Sequence, residues 1–255
     1  MTMIRMTKLI FLVLLTFNAL AQNTKAPEYI SLSKQKVYDI EIIVFAYDTP
    51  LPNAQTYGNK PIYDTSLAYE LDFKPDGMST IKKAEVQENS SQYTIDIDGK
   101  GDSILALAWF EHDSSKFQLT NIWDKLQNNQ NTTPLIHRAW RQPQTAFKSP
   151  QFVKVNSITQ DNNNEYDREV SYTDNTILGQ VALSKGRYLH FTNQLNLFRS
   201  INATNEKGYM DELQNLVFSL TERKQVKSRE LHYFDNPWFG TLVKITRYKG
   251  EIHDE

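Results

Sequence analysis

Arginine set beside aromatic residues on strand-like stretches is the chemistry that stands out in this 255-residue chain. Arg138 and Arg141 bracket Trp140. Arg187 precedes Tyr188 and His190 follows. Arg229 and His232 share one run with Tyr233. A guanidinium can fork onto a carboxylate. A flat aromatic face can lie against a sugar ring. A glycan carrying peptide carboxylates needs both, which makes Arg138, Trp140, Arg187, His190, Arg229 and His232 the candidate binding residues. The same arginines could instead pair with Asp39, Glu41 and Glu230 to hold a sheet together, with the aromatics as core. On residue types alone, that structural reading is the stronger.

Other chemistries find less support. The histidines are His112, His137, His190, His232 and His253. His137, His190 and His232 fall on expected strands and could converge on zinc. No H-x-H or H-E-x-x-H spacing accompanies them, and they read as structural. Nucleophilic catalysis wants a serine on a strained turn or beside a suitably spaced lysine. The chain has no G-x-S-x-G, and Ser184-Lys185 and Lys227-Ser228 are adjacent pairs. With no cysteine, a thiol mechanism is excluded. A glycosidase needs two carboxylates flanking a cleft. Asp39, Glu41 and Glu230 are strand-borne, but nothing in the sequence ties two of them together. The stretch DIDGKGD at 96–102 resembles a calcium loop yet lacks its fifth-position ligand and closing Glu, and reads as an acidic turn. The expectation is a non-catalytic protein with no metal and no cofactor.

These residues need elements to hold them. Two strand-like runs, 225–234 and 239–248, flank Asp235-Asn236-Pro237-Trp238 and predict a β-hairpin. A second hairpin is expected from 179–184 and 187–198 around Lys185-Gly186. The run VYDIEIIVFAY at 37–47 is apolar on both faces and belongs in the centre of a sheet. Segment 102–127 reads as helix, 134–140 as strand, and the apolar residues of 210–220 recur at helical spacing. The fold class expected is α+β: one mostly antiparallel sheet built from these strands and both hairpins, with one main helical region packed on a face. The region 37–248 forms a single domain with variable insertions at 48–101 and 144–173. A polar lead-in (22–36) precedes it and a charged tail (249–255) follows.

Hydrophobic residues at 40% supply a core, and aromatics at 12% suit a β-rich fold. Residues 1–21 combine Arg5 and Lys8, the apolar run LIFLVLLTF and Ala19-Leu20-Ala21, the pattern of a cleavable secretory signal. Without cysteine there is neither a disulfide nor a lipid attachment site, so a soluble periplasmic protein of a Gram-negative cell is expected. The formal charge is −2, and loss of Arg5 and Lys8 with the signal leaves −4. Such a chain has no overall attraction for nucleic acid.

The same stretches resemble a known family. YDIEIIVF after the signal, HRAWRQP at 137–143, GQVALSKGRYLHF at 179–191 and SRELHYFDNPWFGTLVKI at 228–245 are similar to the CsiV-type periplasmic peptidoglycan-binding proteins, the cell-shape integrity family. Two departures are Gln225-Val226, where the family usually has a further basic residue, and Asn236, where it often has His. The resemblance implies a non-catalytic accessory to cell-wall assembly that binds peptidoglycan. It also implies association with the outer-membrane lipoprotein that activates a bifunctional penicillin-binding protein. It brings no catalytic residues with it. A pure protein adaptor and a wall-degrading hydrolase remain the alternatives.

Overall fold

A computed structural model describes residues 23–49, 65–83, 104–157, 175–201 and 214–250. The signal, the acidic turn at 96–102 and the Asn-rich stretch at 161–164 lie outside them. The central strand, β3 (Val37–Tyr47), follows two short strands, β1 (Thr24–Lys25) and β2 (Glu28–Ser31). Its β-branched and aromatic residues favour a pleated backbone. Tyr38, Ile40, Ile42, Val44 and Ala46 point to one face and join the main core. Asp39, Glu41, Ile43, Phe45 and Tyr47 point to the other.

After β4 (Glu70–Leu71) and β5 (Ile81–Lys83) come β6 (Ile104–Ala108), β7 (Phe110–Glu111) and a single helix, α1 (Thr120–Gln127). The chain continues through β8 (Thr132–Pro143), β9 (Thr145–Ala146), β10 (Val153–Asn156), β11 (Thr176–Lys185) and β12 (Leu189–Ile201). It closes with β13 (Gln214–Val226), β14 (Leu231–Asn236) and β15 (Phe239–Tyr248).

Two five-stranded sheets dominate. One runs β14-β15-β3-β8-β7, all antiparallel, with β3 at its centre as its two-sided apolarity requires. The other runs β10-β11-β12-β13, with β9 joining β11 in parallel. Their inner faces share one hydrophobic core, in which Phe191 meets Phe234 at 5.5 Å and Phe218 stacks on Trp238 at 4.2 Å between ring centroids. This is a β-sandwich. A second, smaller core of Ile43, Phe45 and Leu119 seats α1 on the outer face of β3.

Three expectations are corrected. The two hairpins do not share a sheet: β11–β12 belongs to one layer and β14–β15 to the other, because each has its own apolar face to bury. The helix expected over 102–127 shrinks to α1. Residues Ile104-Leu105-Ala106-Leu107-Ala108 form a strand paired on both sides, by β2 and β5. Trp109, at φ 62°, then kinks the chain into β7. The helical spacing at 210–220 is also overturned from Gln214 onward. There β13 pairs with β12 through thirteen residues and turns Phe218, Leu220 and Val226 into the core.

Candidate functional site

One end of the sandwich gathers most of the singled-out residues. A closed ring of contacts defines it. Gln144 N donates to the Lys36 carbonyl, and Thr145-Ala146 pair with Ser184-Lys185. Leu189 pairs with Val226, Arg229 N donates to the Ile245 carbonyl at 2.7 Å, and Arg247 pairs with Tyr38. Strand alternation then fixes where the cations go. Ile245 and Leu183 point into the core, so Arg247 and Lys185, two residues further on, point to the same side at the mouth. Lys36 directly precedes β3. The Lys185 ammonium beside it, and then the Arg247 guanidinium, hold the Lys36 ammonium below the ordinary lysine range. Three cations, from β11, β15 and the residue before β3, thus crowd one opening.

The neighbouring turns add more. Arg187, in the β11–β12 turn, is exposed, with its guanidinium 5.3 Å from the ring of Tyr188, itself 46% exposed. His190 donates from Nδ1 to the Tyr188 carbonyl at 3.0 Å and packs edge-on against Phe147 at 4.7 Å. Arg223 lies over the same Phe147 ring at 4.8 Å. Arg229 is exposed in the β13–β14 turn with φ 74°, a left-handed conformation costly for a residue with a side chain. His232 braces that turn, with Nε2 2.9 Å from the Lys227 N–H and 3.0 Å from its carbonyl. The turn's carboxylate, Glu230, is engaged by Lys227 at 3.4 Å.

The other two candidate residues lie elsewhere. Trp140 is 1% exposed, deep in the main core, with Nε1 donating to Gln142 Oε1 at 2.7 Å. It offers no face to a ligand. Arg138 is part-buried on the same side of β8. It pairs with Glu111 and donates to the Lys154 carbonyl at 2.8 Å, tying β7 and β8 to the edge of the second sheet. Burial lowers its guanidinium pKa, with Glu70 acting in opposition. For these two the structural reading holds.

It holds also for the acids of β3. Asp39 takes Arg141 Nε at 2.6 Å, Arg141 Nη2 at 3.0 Å and His112 Nε2 at 2.9 Å. Burial would raise its carboxyl, but the hydrogen bonds from His112 and Arg141 outweigh that and hold it below the usual range. Glu41 accepts from Gln118 N and Leu119 N, each at 2.8 Å, and meets His137 Nε2 at 2.8 Å, closing the start of α1. His137, His190 and His232 therefore each have a different set of partners and do not meet. Among the described residues no group of three or more His, Asp or Glu could hold a metal.

Lys36, Lys185 and Arg247 were not recognised as site residues from sequence. They are far apart along the chain, and no local motif joins them. The usable signal was that Lys185 and Arg247 extend the inward-facing register of their strands, where a charge can sit only at an open end.

The two-layer antiparallel sandwich thus gathers cations and the exposed rings of Tyr188 and Phe147 at one end. A family model described as peptidoglycan-binding protein, CsiV, matches residues 6–248, and the chain belongs to that family. No curated protein matches the chain, and no solved structure does. Among the described residues, no helix is long and apolar enough to cross a membrane.

Proposed function

We propose that the protein is a non-catalytic periplasmic accessory of cell-wall assembly that grips peptidoglycan with the cationic mouth of the sandwich. The observation that carries this reading is the convergence of Lys36, Lys185 and Arg247, with Arg187 and Arg229 on the adjoining turns. Crowded cations repel one another, and a carboxylate entering between them relieves that repulsion while forming charge-assisted hydrogen bonds. Peptidoglycan stem peptides supply such carboxylates. Tyr188 and Phe147 offer ring faces for the sugars beside them. In a chain of slightly negative total charge, a local positive mouth also orients the protein towards an anionic polymer.

The second part of the proposal is a protein partner, the outer-membrane lipoprotein that activates a bifunctional penicillin-binding protein. The sequence resemblance suggests it, and a pull-down with the purified lipoprotein tests it. The glycan part is tested by replacing Arg187 with Ala and Arg229 with Gly. Retention on purified sacculi should fall about tenfold, the worth of one or two charged hydrogen bonds. The melting temperature should hold. A cooperative loss of stability with unchanged retention per folded molecule would instead make the arginines structural.

A further inference from the structure

A second feature lies on the outer face of β3, away from the core between the sheets. There a cleft of about 620 Å³ opens between β3, β15 and β7 and the chain around Phe73–Thr80. That volume is within the roughly 300–1,000 Å³ usual for small-ligand sites. Charge does not select its ligand. Five carboxylates line it against four cations, so an ion of either sign would meet groups of its own sign. Most of these charges are also spent within the protein. Asp39 holds Arg141 and His112, Glu41 the Gln118 and Leu119 amides, and Glu111 Arg138. Asp113 takes the Ser115 amide and has Lys116 beside it. Lys74 donates to the Met78 carbonyl at 2.9 Å, and Arg141 lies 3.4 Å from the centre of the Tyr248 ring. What remains is a mixture of donors and acceptors. Among the described residues, Asp76 and Lys244 have no ion-pair partner, and the Thr80 and Thr246 hydroxyls have no hydrogen-bond partner. Asp76 only accepts, Lys244 only donates, and each hydroxyl does both. A neutral group that also does both, such as a sugar hydroxyl or an acetamide, can satisfy all four without bringing in a charge. Phe73, 66% exposed at the rim, adds a ring face. A ring-shaped ligand with hydroxyls at its edge and C–H bonds on its face fits that mixture.

We propose that the cleft binds an uncharged N-acetylated amino sugar. Asp76, Lys244, Thr80 and Thr246 hold its hydroxyl and acetamido groups, and Phe73 lies against the sugar ring. The inference rests on the peptidoglycan reading and divides that polymer between two places: the stem carboxylates go to the cationic mouth and the glycan backbone to the cleft. Both places share one strand end. Arg247 pairs with Tyr38 and points to the mouth, whereas its neighbours Thr246 and Tyr248 line the cleft on the opposite face of β15. A glycan strand crossing the end of β15 therefore reaches both. Binding of a neutral sugar has no long-range charge attraction for salt to screen, which separates the cleft from the mouth.

The test titrates the protein with the N-acetylglucosamine tetramer, a neutral, peptide-free stand-in for the glycan backbone. Binding is read by calorimetry at low and at high salt, and chemical-shift changes locate the site. The tetramer should bind with the same affinity at both salt levels, within about twofold. It should perturb resonances of Phe73, Lys244 and Thr246. The Phe73→Ala, Asp76→Ala double variant should bind it roughly tenfold more weakly. Its melting temperature should hold, since both side chains are exposed. Lys244→Met, on the opposite wall, should change binding in the same direction. No binding of the tetramer, wild-type affinity in these variants, or shifts confined to the mouth overturns the assignment of the cleft. If sacculi still retain the protein in that event, the peptidoglycan reading stands without the cleft. If wild-type protein is not retained on sacculi at all, both fall.

Discussion

Asp39, on β3, and Lys36, just before that strand, carry opposite consequences of crowding. Asp39 is held in its charged form by Arg141 and His112. Its carboxyl pKa is lower folded than unfolded, where it is about 3.9. Its stabilisation is therefore fully present above that pH and is lost as pH falls through the folded value. Urea denaturation should show Asp39→Asn less stable than wild type at pH 7, with the gap closing towards pH 3. A gap that stayed constant with pH would remove charge from the account. Lys36 is the converse case, a cation pushed down by Lys185 and Arg247. Its repulsion weakens the fold where all three are charged, and that penalty fades as pH rises through its depressed pKa. Lys36→Met should leave the melting temperature equal or higher while lowering retention on sacculi, a pairing expected of a ligand-binding residue and not of a structural one. Arg229→Gly should behave likewise, since glycine accepts the left-handed backbone that arginine holds at φ 74°. Trp140→Ala belongs to the opposite class. It empties a fully buried site and should cost about 3–5 kcal/mol, measurable by chemical denaturation.

At the level of elements, the helix depends on a strand residue. No side chain of its own caps the N-terminus of α1, and Glu41 of β3 receives the amides of Gln118 and Leu119 instead. Glu41→Ala leaves those donors and His137 without an acceptor in a buried place. It should cost about 1–3 kcal/mol and loosen α1 first, visible as faster amide exchange over 118–127 than over β11–β12. The hairpins were legible because alternation and turn chemistry agree within a few residues. Asn236 even accepts the Trp238 N–H at 3.0 Å, the Asn-centred turn its sequence suggests. The central place of β3 was legible from apolar residues on both faces. The strand β6 was not, because a five-residue apolar run without turn signals suits strand and helix alike, and only its two neighbours decide it. The same is true of β13, whose pairing with β12 overrides an apparent helical period.

On the scale of the whole molecule, two sheets give two distinct surfaces. The open end of the sandwich collects cations that no single strand can reveal, and the outer face of β3 carries a cleft in which Asp39 and Glu41 are internally satisfied. Arg187 and Arg229 come to this end on the β11–β12 and β13–β14 turns; the second turn was not legible, because the strand run expected over 225–234 breaks after Val226 and resumes at Leu231. The roles of Arg138 and Trp140 were not legible either, since one-residue alternation along β8 decides whether a side chain meets solvent or core. Binding at the cationic mouth should be partly screened by salt, whose Debye length is about 10 Å at 0.1 M. It should not be abolished, because close charge-assisted hydrogen bonds are screened less than long-range attraction. The most direct measurement is co-sedimentation of the protein with purified sacculi across a salt range, beside a variant in which Lys36, Lys185 and Arg247 are replaced by Met, Met and Gln. Wild type retained at high salt, with the folded variant left in the supernatant, is the result expected here. Equal retention of the two proteins, or wild-type retention that vanishes at modest salt, would contradict the assignment of peptidoglycan binding to the mouth of the sandwich.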